Sequence, residues 1–280
     1  MSKLFFLGPE GSFSHILAKQ IVNSIEPSLS LESCESFSEI AKLVDLDPNS
    51  CGLLVVENSI TSDVHEAVDL FFARKLWIDA EAQLRISMNL IGLEGSSLDQ
   101  IHAVSSKLPA IAQCSEFIKE RALKVKYAES TSLALQEIIH SGDTKTAAIG
   151  ARALTESYSG TKILAANIGN QQNNLTRFVL VRKREGKQSW QPDSNKLTVI
   201  VELPHAKGSL ANYLLKLAEV GANLTRIESR PVPGTEWEYQ FWIDLETSSE
   251  KIVHTIDQAR RFSTSFELLG VYPKGQVYLS

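Results

Sequence analysis

A polar stretch, residues 182–195, divides this 280-residue chain into two parts whose apolar residues follow different rhythms. It holds Lys, Gly, Gln, Pro and Asp and few apolar side chains, as interdomain linkers do. Upstream, short β-type runs alternate with helical ones. Residues 4–7 read as a strand, Gly8-Pro9-Glu10-Gly11-Ser12 as a turn, and a helix follows from about Ser14. Residues 53–56 form a buried strand, and Val64, Ala67, Val68, Phe71 and Phe72 suit a helix after Ser62. Residues 86–93 read as a strand. Ile111, Ala112, Ser115, Phe117 and Ile118 predict one helix, and Leu133, Leu135, Ile138 and Ile139 another. Residues 147–149 and 178–181 are further strands. This alternation predicts an α/β architecture with a mainly parallel sheet.

Downstream the pattern changes. Leu197, Val199, Val201 and Leu203 alternate as a strand. Leu210, Leu214, Leu217 and Ala218 line a helix that stops at Gly221. Residues 224–229 are a second strand, and Trp237, Tyr239, Phe241, Ile243 and Leu245 alternate strictly as a third. Ile252, Val253, Ile256 and Ala259 make a second helix, and residues 266–271 a last strand. The order β-α-β-β-α-β predicts a ferredoxin-like unit.

Composition narrows the function. Apolar residues make up 43%, enough for ordinary cores. A net charge of −5 leaves no basic footprint, so neither nucleic acid nor an anionic membrane is an expected partner. The apolar run near residues 4–7 is too short for a signal peptide, and nothing approaches the ~20 apolar residues of a membrane span. Cys34, Cys51 and Cys114 form no disulfide framework or zinc spacing, which points to the cytoplasm. The histidines show no His-x-x-x-His pair, so no metal is expected.

Four strings carry candidate chemistry. Gly8-Pro9-Glu10-Gly11-Ser12 joins a strand to a helix but lacks P-loop and Rossmann spacings, so a plain tight turn is its better reading. Glu57-Asn58-Ser59 follows a buried strand, where α/β sites assemble, although in isolation a helix cap explains it. Ser130-Thr131-Ser132 reads either as an N-cap or as a helix N-terminus that holds an anion. Asn174-Leu175-Thr176-Arg177-Phe178 offers a hydroxyl, an amide and a guanidinium at a strand start. The plainer reading of Arg177 is a structural salt bridge.

In combination these strings resemble a known family. Gly8-Pro9-x-Gly11-Ser12-Phe13-Ser14, Glu57-Asn58-Ser59, Ala112-Gln113-Cys114, Ser130-Thr131-Ser132 and Asn174-x-Thr176-Arg177-Phe178 occur in the order seen in prephenate dehydratases. Gly208-Ser209-Leu210, Asn223-Leu224-Thr225 and Glu228-Ser229-Arg230-Pro231 resemble the phenylalanine-binding ACT domain fused to those enzymes. The likeness spans essentially the whole chain. It implies a catalytic domain over 1–184, built as two lobes like a periplasmic binding protein. Lobe 1 would cover about 1–80 and 168–184, lobe 2 about 81–167, and an ACT domain 195–280. Departures are Val55-Val56 for Pro-Ile, Thr61-Ser62 for Glu-Gly, Ser106-Lys107-Leu108-Pro109-Ala110 for Ser-His-Pro-Gln-Ala, Asn170 for Asp, and Ser209 for Ala.

The resemblance implies decarboxylative dehydration of prephenate to phenylpyruvate, without a cofactor, under control of L-phenylalanine in a homodimer or homotetramer. It assigns Thr176, Asn58 and Gln113 to catalysis. Thr176 would stabilise the leaving hydroxyl, and the two amides would orient the substrate. Ser12, Glu57, Ser59, Thr131, Ser132 and Arg177 would bind substrate. Gly208, Ser209, Leu210, Asn223, Leu224, Glu228, Ser229, Arg230 and Pro231 would bind phenylalanine. An arogenate dehydratase, a non-catalytic amino-acid sensor and a prephenate decarboxylase that retains the hydroxyl are the alternatives, the last opposed by the retained Thr176. The altered 106–109 loop favours the sensor, and the intact Asn58, Gln113 and Thr176 oppose it.

Overall fold

The structure is a computed structural model that describes residues 2–24, 27–60, 62–73, 76–184, 189–232 and 234–280. Thr61 and residues 185–188 of the expected linker lie outside the described residues. Strand β1 (Lys3–Leu7) passes through the Gly8 turn into α1 (Phe13–Ser24). Then come β2 (Ser30–Cys34), α2 (Phe37–Leu46), β3 (Cys51–Asn58), β4 (Ser62–Asp63), α3 (His65–Ala73) and the long β5 (Leu76–Arg85). Ser36 caps α2, accepting from the Glu39 amide at 3.1 Å.

The chain now crosses to a second sheet. Its elements are β6 (Asn89–Leu93), β7 (Ala103–Ser106), α4 (Leu108–Gln113), α5 (Ser115–Glu120), β8 (Lys124–Tyr127), α6 (Thr131–Ser141), β9 (Thr146–Gly150), α7 (Ala153–Ser157) and β10 (Thr161–Ala165). Strand β11 (Leu175–Lys183) returns to the first sheet between β3 and β5. Two lobes result, each on its own sheet, with one apolar cluster running between them from Leu4 and Phe178 to Val104 and Ile149. The crossings lie at residues 86–88 and 166–174, because β5 stays in the first sheet as far as Arg85.

The sheets are mixed rather than mainly parallel. β1 pairs parallel with β2 and β3, but β11 runs antiparallel to both neighbours, as β6 does to β9 and β10. The direction of a returning strand depends on long-range pairing that local periodicity does not encode. The helix expected over 111–118 is two short helices broken at Cys114, and the strand expected over 86–93 begins only at Asn89.

The C-terminal unit is ferredoxin-like. Strands β12 (Lys196–Glu202), β13 (Asn223–Pro231), β14 (Tyr239–Glu246) and β15 (Ser265–Tyr272) form an antiparallel sheet in the order β13-β14-β12-β15. Helices α8 (Ser209–Glu219) and α9 (Ile252–Arg261) cover one face over Leu197, Val199, Ile243 and Leu245. The opposite face packs on the first lobe, where Trp242 meets Phe71 of α3 edge to face at 4.9 Å. The sheets are also continuous. β15 touches β5 at Gly270 opposite Ile78, and β16 (Gln276–Leu279) runs parallel to β5 over residues 82–85. A Cβ at Gly270 would lie 2.5 Å from the Ile78 carbonyl, and one at Gly275 2.5 Å from that of Glu81. Only glycine allows this approach.

Arg177 lies at the centre of this seam. It donates through Nε to Glu81 at 2.6 Å, through Nη1 to Asp244, and through Nη2 to the Tyr272 hydroxyl at 3.2 Å. Lys196 reaches Glu81 at 2.7 Å, while Thr198 and Trp242 donate to Asp244 at 2.7 and 2.9 Å. The side chains of Glu81 and Asp244 are wholly buried. Burial, the largest single influence, pushes both carboxyls up. The charges of Arg177 with Lys196 on Glu81, and with Arg226 on Asp244, outweigh it and hold both below their ordinary values. Burial, reinforced by Asp244, pushes the Tyr272 phenol up, so it keeps its proton.

Removing one member leaves its partners buried and uncompensated. Arg177→Met is expected to cost about 3–5 kcal/mol of folding stability, measurable by urea titration. Because both carboxyls titrate below their unfolded values, the cluster stabilises the fold above about pH 4 and is lost as the pH falls through the folded values. The melting temperature should therefore fall on acidification below about pH 4, and fall less in Asp244→Asn.

Candidate active site

The cleft between the lobes holds a cavity of about 340 Å³, lined by Ser12, Phe13, Ser14, Val55, Asn58, Ile86, Met88, Lys107, Gln113, Asn174, Thr176 and Phe178 among others. Each polar group arrives from the end of an element. Asn58 ends β3, Thr176 is the second residue of β11, Gln113 ends α4, and Ser12 precedes α1. Strand β3 carries one extra residue, Val56, opposite the Arg177–Phe178 step, and Asn58 and Val55 both line the cavity. Bulges of this kind re-aim side chains.

An amide ladder crosses the cleft. Asn58 Nδ2 donates to Thr176 Oγ1 at 2.8 Å and to Asn174 Oδ1 at 2.7 Å, and Asn174 Nδ2 donates to Gln113 Oε1 at 2.9 Å. Asn58 Oδ1 is itself fixed by the Ile60 amide at 3.0 Å. The donor and acceptor roles along the ladder are thus set. The Thr176 oxygen accepts from Asn58, which leaves its own O–H to point at a ligand. Gln113 accepts from Asn174, which leaves its N–H groups for the same use. Beyond Asn174 and Gln113 the cavity adjoins a second of about 590 Å³, walled by Arg85, Ser87 and residues 167 and 169–173.

Among the described residues the site is electrostatically neutral but for one group. Lys107 is the single charged residue of that set lining the first cavity, and burial lowers its amine from the usual lysine value. Cys114, beside Gln113, is no nucleophile, since burial pushes its thiol up to about 12. The walls contributed by Phe13, Ile86, Met88 and Phe178 suit a six-membered carbon ring.

Asn58, Gln113 and Thr176, predicted from sequence, meet here. Asn174, which belongs to the motif but receives no role from the resemblance, is the hub of the ladder. Ser12 lines the cavity, but its hydroxyl caps α1, donating to Leu7 O at 3.1 Å and accepting from His15 N at 3.2 Å. Thr131 and Ser132 are buried at the start of α6 and do not line the cavity; the α6 cap is Ser130. Ser59 ties the loop to β11 through the Asn173 carbonyl and the Leu175 amide, at 3.0 and 2.9 Å.

Other expectations require correction. Arg177 and Glu57 do not face the cavity. Side chains alternate along a strand, so Arg177 points away from Thr176 into the buried seam, where Glu57 approaches it at 3.4 Å. Arg177 is therefore the structural salt bridge of the plainer reading. Glu228 and Arg230 turn toward α3 for the same reason. Glu228 joins Arg226, Arg230 and, at 3.2 Å, His65, while Arg230 reaches Asp69 at 2.9 Å. Ser209 and Leu210 line a separate cavity of about 600 Å³ with His205, Lys207, Tyr239 and Phe241, next to Gly208 at the start of α8. Asn223 and Leu224 border another, near the far end of α8. Ser229 and Pro231 are exposed on β13. Within one chain these residues do not converge on a single pocket.

Comparison with known proteins gives a consistent picture. A family model for prephenate dehydratase matches residues 4–186. A prephenate dehydratase of Methanocaldococcus jannaschii is 36% identical, covering 95% of this chain and 96% of its own. The crystal structure of prephenate dehydratase from Staphylococcus aureus Mu50 matches with a TM-score of 0.84 at 26% identity, over 96% of this chain and 99% of that one. That of Arthrobacter aurescens prephenate dehydratase in complex with L-Phe matches with a TM-score of 0.83 at 26% identity, over 97% and 90%. A structure described as a quorum-quenching acylase matches with a TM-score of 0.85, also at 26% identity, over 97% of each chain. With Asn58, Gln113, Asn174 and Thr176 gathered in one interlobe cleft and its length shared with these relatives, the chain belongs to the prephenate dehydratase family.

Proposed function

We propose that this chain converts prephenate to phenylpyruvate, and that Thr176 is the group that assists the leaving hydroxyl. One observation carries the assignment: Asn58 donates to the Thr176 oxygen at 2.8 Å, so the threonine proton is free to be donated into the cavity. Accepting one hydrogen bond strengthens the next along the chain. The substrate itself supplies the driving force, because losing carbon dioxide and hydroxide makes its ring aromatic. The protein has only to hold the ring and stabilise charge on the departing oxygen. Phe13, Ile86, Met88 and Phe178 would hold the ring, and Gln113 and Asn58 would orient it. Acyl transfer fits this site less well. Its hydroxyls belong to Ser12, Ser14 and Thr176, and among the described residues no His, Asp or Glu lines the cavity to act as a base.

The division into a catalytic domain over 1–184 and an ACT domain over 195–280 is supported by the ferredoxin-like order of the second part. The cytoplasm is supported by three free, buried cysteines. Among the described residues no helix is long and apolar enough to cross a membrane. Regulation by L-phenylalanine is supported by the Arthrobacter complex and by the Ser209–Leu210 cavity. Residues that are apart in one chain, Gly208 to Leu210 and Asn223 to Pro231, suit a ligand shared between two copies, so a dimer or tetramer is expected.

The function is tested by incubating the purified chain with prephenate and following phenylpyruvate against a no-enzyme control. Binding without release would mark a sensor, and phenylalanine released from arogenate would move the preference to the amino analogue. Thr176→Val should lower kcat about a hundredfold with the fold intact, and Thr176→Ser should retain most activity. Near-normal turnover in the valine variant would remove Thr176 from the chemistry. L-Phenylalanine at about 100 times its Kd should stabilise the protein by about 2.7 kcal/mol, seen as a rise in melting temperature. A strict monomer in sedimentation, or no thermal shift, counts against regulation at a shared site.

A further inference from the structure

Among the described residues, Lys107 is the one charged residue lining the Thr176 cavity, and no carboxylate lines it alongside. Its backbone is fixed, since the Lys107 carbonyl accepts from Ala110 N at 3.0 Å and Ile111 N at 3.1 Å to start α4. Its side chain has no ion-pair or hydrogen-bond partner among the described residues. Burial disfavours its charge, so the site is electrostatically incomplete until an anion enters. Arg85 lines only the second cavity, beyond the Asn174–Gln113 pair.

We propose that Lys107 binds the side-chain carboxylate of the substrate, the one that survives the reaction, and not the ring carboxylate that is lost. The proposal rests on the dehydratase reading above. The movement of charge decides between the two carboxylates. The bond from the ring to its carboxylate breaks and its electron pair enters the ring. The C–O bond pair leaves with hydroxide, which takes up a proton to become water. The ring carboxylate thus departs as neutral carbon dioxide. An ammonium held against it would stabilise the ground state more than the transition state and slow the step. The side-chain carboxylate keeps its full charge from substrate to product, so a cation there binds every state alike. The neutral donors of Thr176, Asn58 and Gln113 serve the groups whose charge changes. Lys107 therefore sets affinity for the dianion without acting on the barrier.

The test uses the full chain with Lys107→Met, Lys107→Gln and Lys107→Arg, measuring steady-state kinetics on prephenate and inhibition by phenylpyruvate, which keeps only the side-chain carboxylate. The two neutral variants should raise KM by about tenfold to a hundredfold, the worth of one charge-assisted hydrogen bond, with kcat nearly unchanged. The Ki of phenylpyruvate should rise by the same factor, and Lys107→Arg should restore most of both. Melting curves near wild type show that the fold is kept, and the glutamine variant stands in if the methionine one does not fold. An unmoved KM in either folded neutral variant overturns the proposal. So does a raised KM with an unmoved phenylpyruvate Ki, which would place Lys107 on the ring carboxylate. A kcat that falls while KM stays constant overturns it as well. Failure of the wild-type chain to release phenylpyruvate would overturn the dehydratase reading and the proposal together, an outcome distinct from the others because it appears before any substitution is made.

Discussion

The buried guanidinium of Arg177 is the interaction on which the rest of this molecule depends. It neutralises Glu81 from the first lobe and Asp244 from the C-terminal unit at once. Without it, Glu81 and Asp244 would be left in a dry seam with only Lys196 and the more distant charge of Arg226 to offset them, at a cost of about 3–5 kcal/mol. The residue before it in the strand is Thr176, on the opposite face. One backbone segment therefore carries the hydroxyl of the cleft and the clamp of the seam. A candidate effector unit and a candidate active site are thus in contact with residues adjacent in sequence, Asp244 with Arg177 and Asn58 with Thr176.

The cleft obeys a different economy of charge. Its polar lining is almost entirely amide and hydroxyl, ordered by the Asn58–Asn174–Gln113 ladder. Neutral dipoles whose directions are fixed beforehand suit a reaction in which charge leaves one carboxylate and appears on a departing oxygen. Fixed charges would favour one stage of that transfer over another. The arrangement also explains a departure from the family pattern. Asn170, where the family usually has Asp, accepts from the Glu116 amide at 3.1 Å and donates to Ser115 Oγ at 2.9 Å, anchoring the start of α5. A neutral amide meets both demands, so the change does not disturb the ladder.

The family resemblance singled out Asn58, Gln113 and Thr176, which do meet in the cleft near the ends of elements, but it gave no role to Asn174, which joins them. Patterning was also sufficient for the ferredoxin-like unit, where alternation from Tyr239 to Leu245 is unbroken. What sequence could not give was the facing of polar residues on strands. Arg177 beside Thr176, and Glu228 and Arg230 on β13, resemble ligand contacts until their partners are known, and those partners lie far away in sequence: Asp244, His65, Asp69. The antiparallel return of β11 was hidden for a similar reason, because strand direction is settled by pairing across more than a hundred residues, as between Thr176 and Asn58. Trp237, included in the β14 pattern, lies outside the strand at a positive φ of 61° and is exposed, a local reversal that alternation cannot reveal.

The seam has a last consequence. Strand β16 covers the edge of β5 from Ala82 to Arg85, and the Ser280 amide continues the pairing onto the Arg85 carbonyl at 3.2 Å. The C-terminal unit is therefore not a detachable cassette. Cutting the chain in the 182–195 stretch would strip a neighbour from β5 and bare unpaired backbone beside the cleft, a template for intermolecular strand addition and insolubility. Exchange of this unit between homologues meets the same obstacle, since a grafted replacement must bring glycines where Gly270 and Gly275 pass the backbone of β5. Duplication and shuffling of such a unit in evolution would be filtered by the fit of this edge as much as by the ligand it binds.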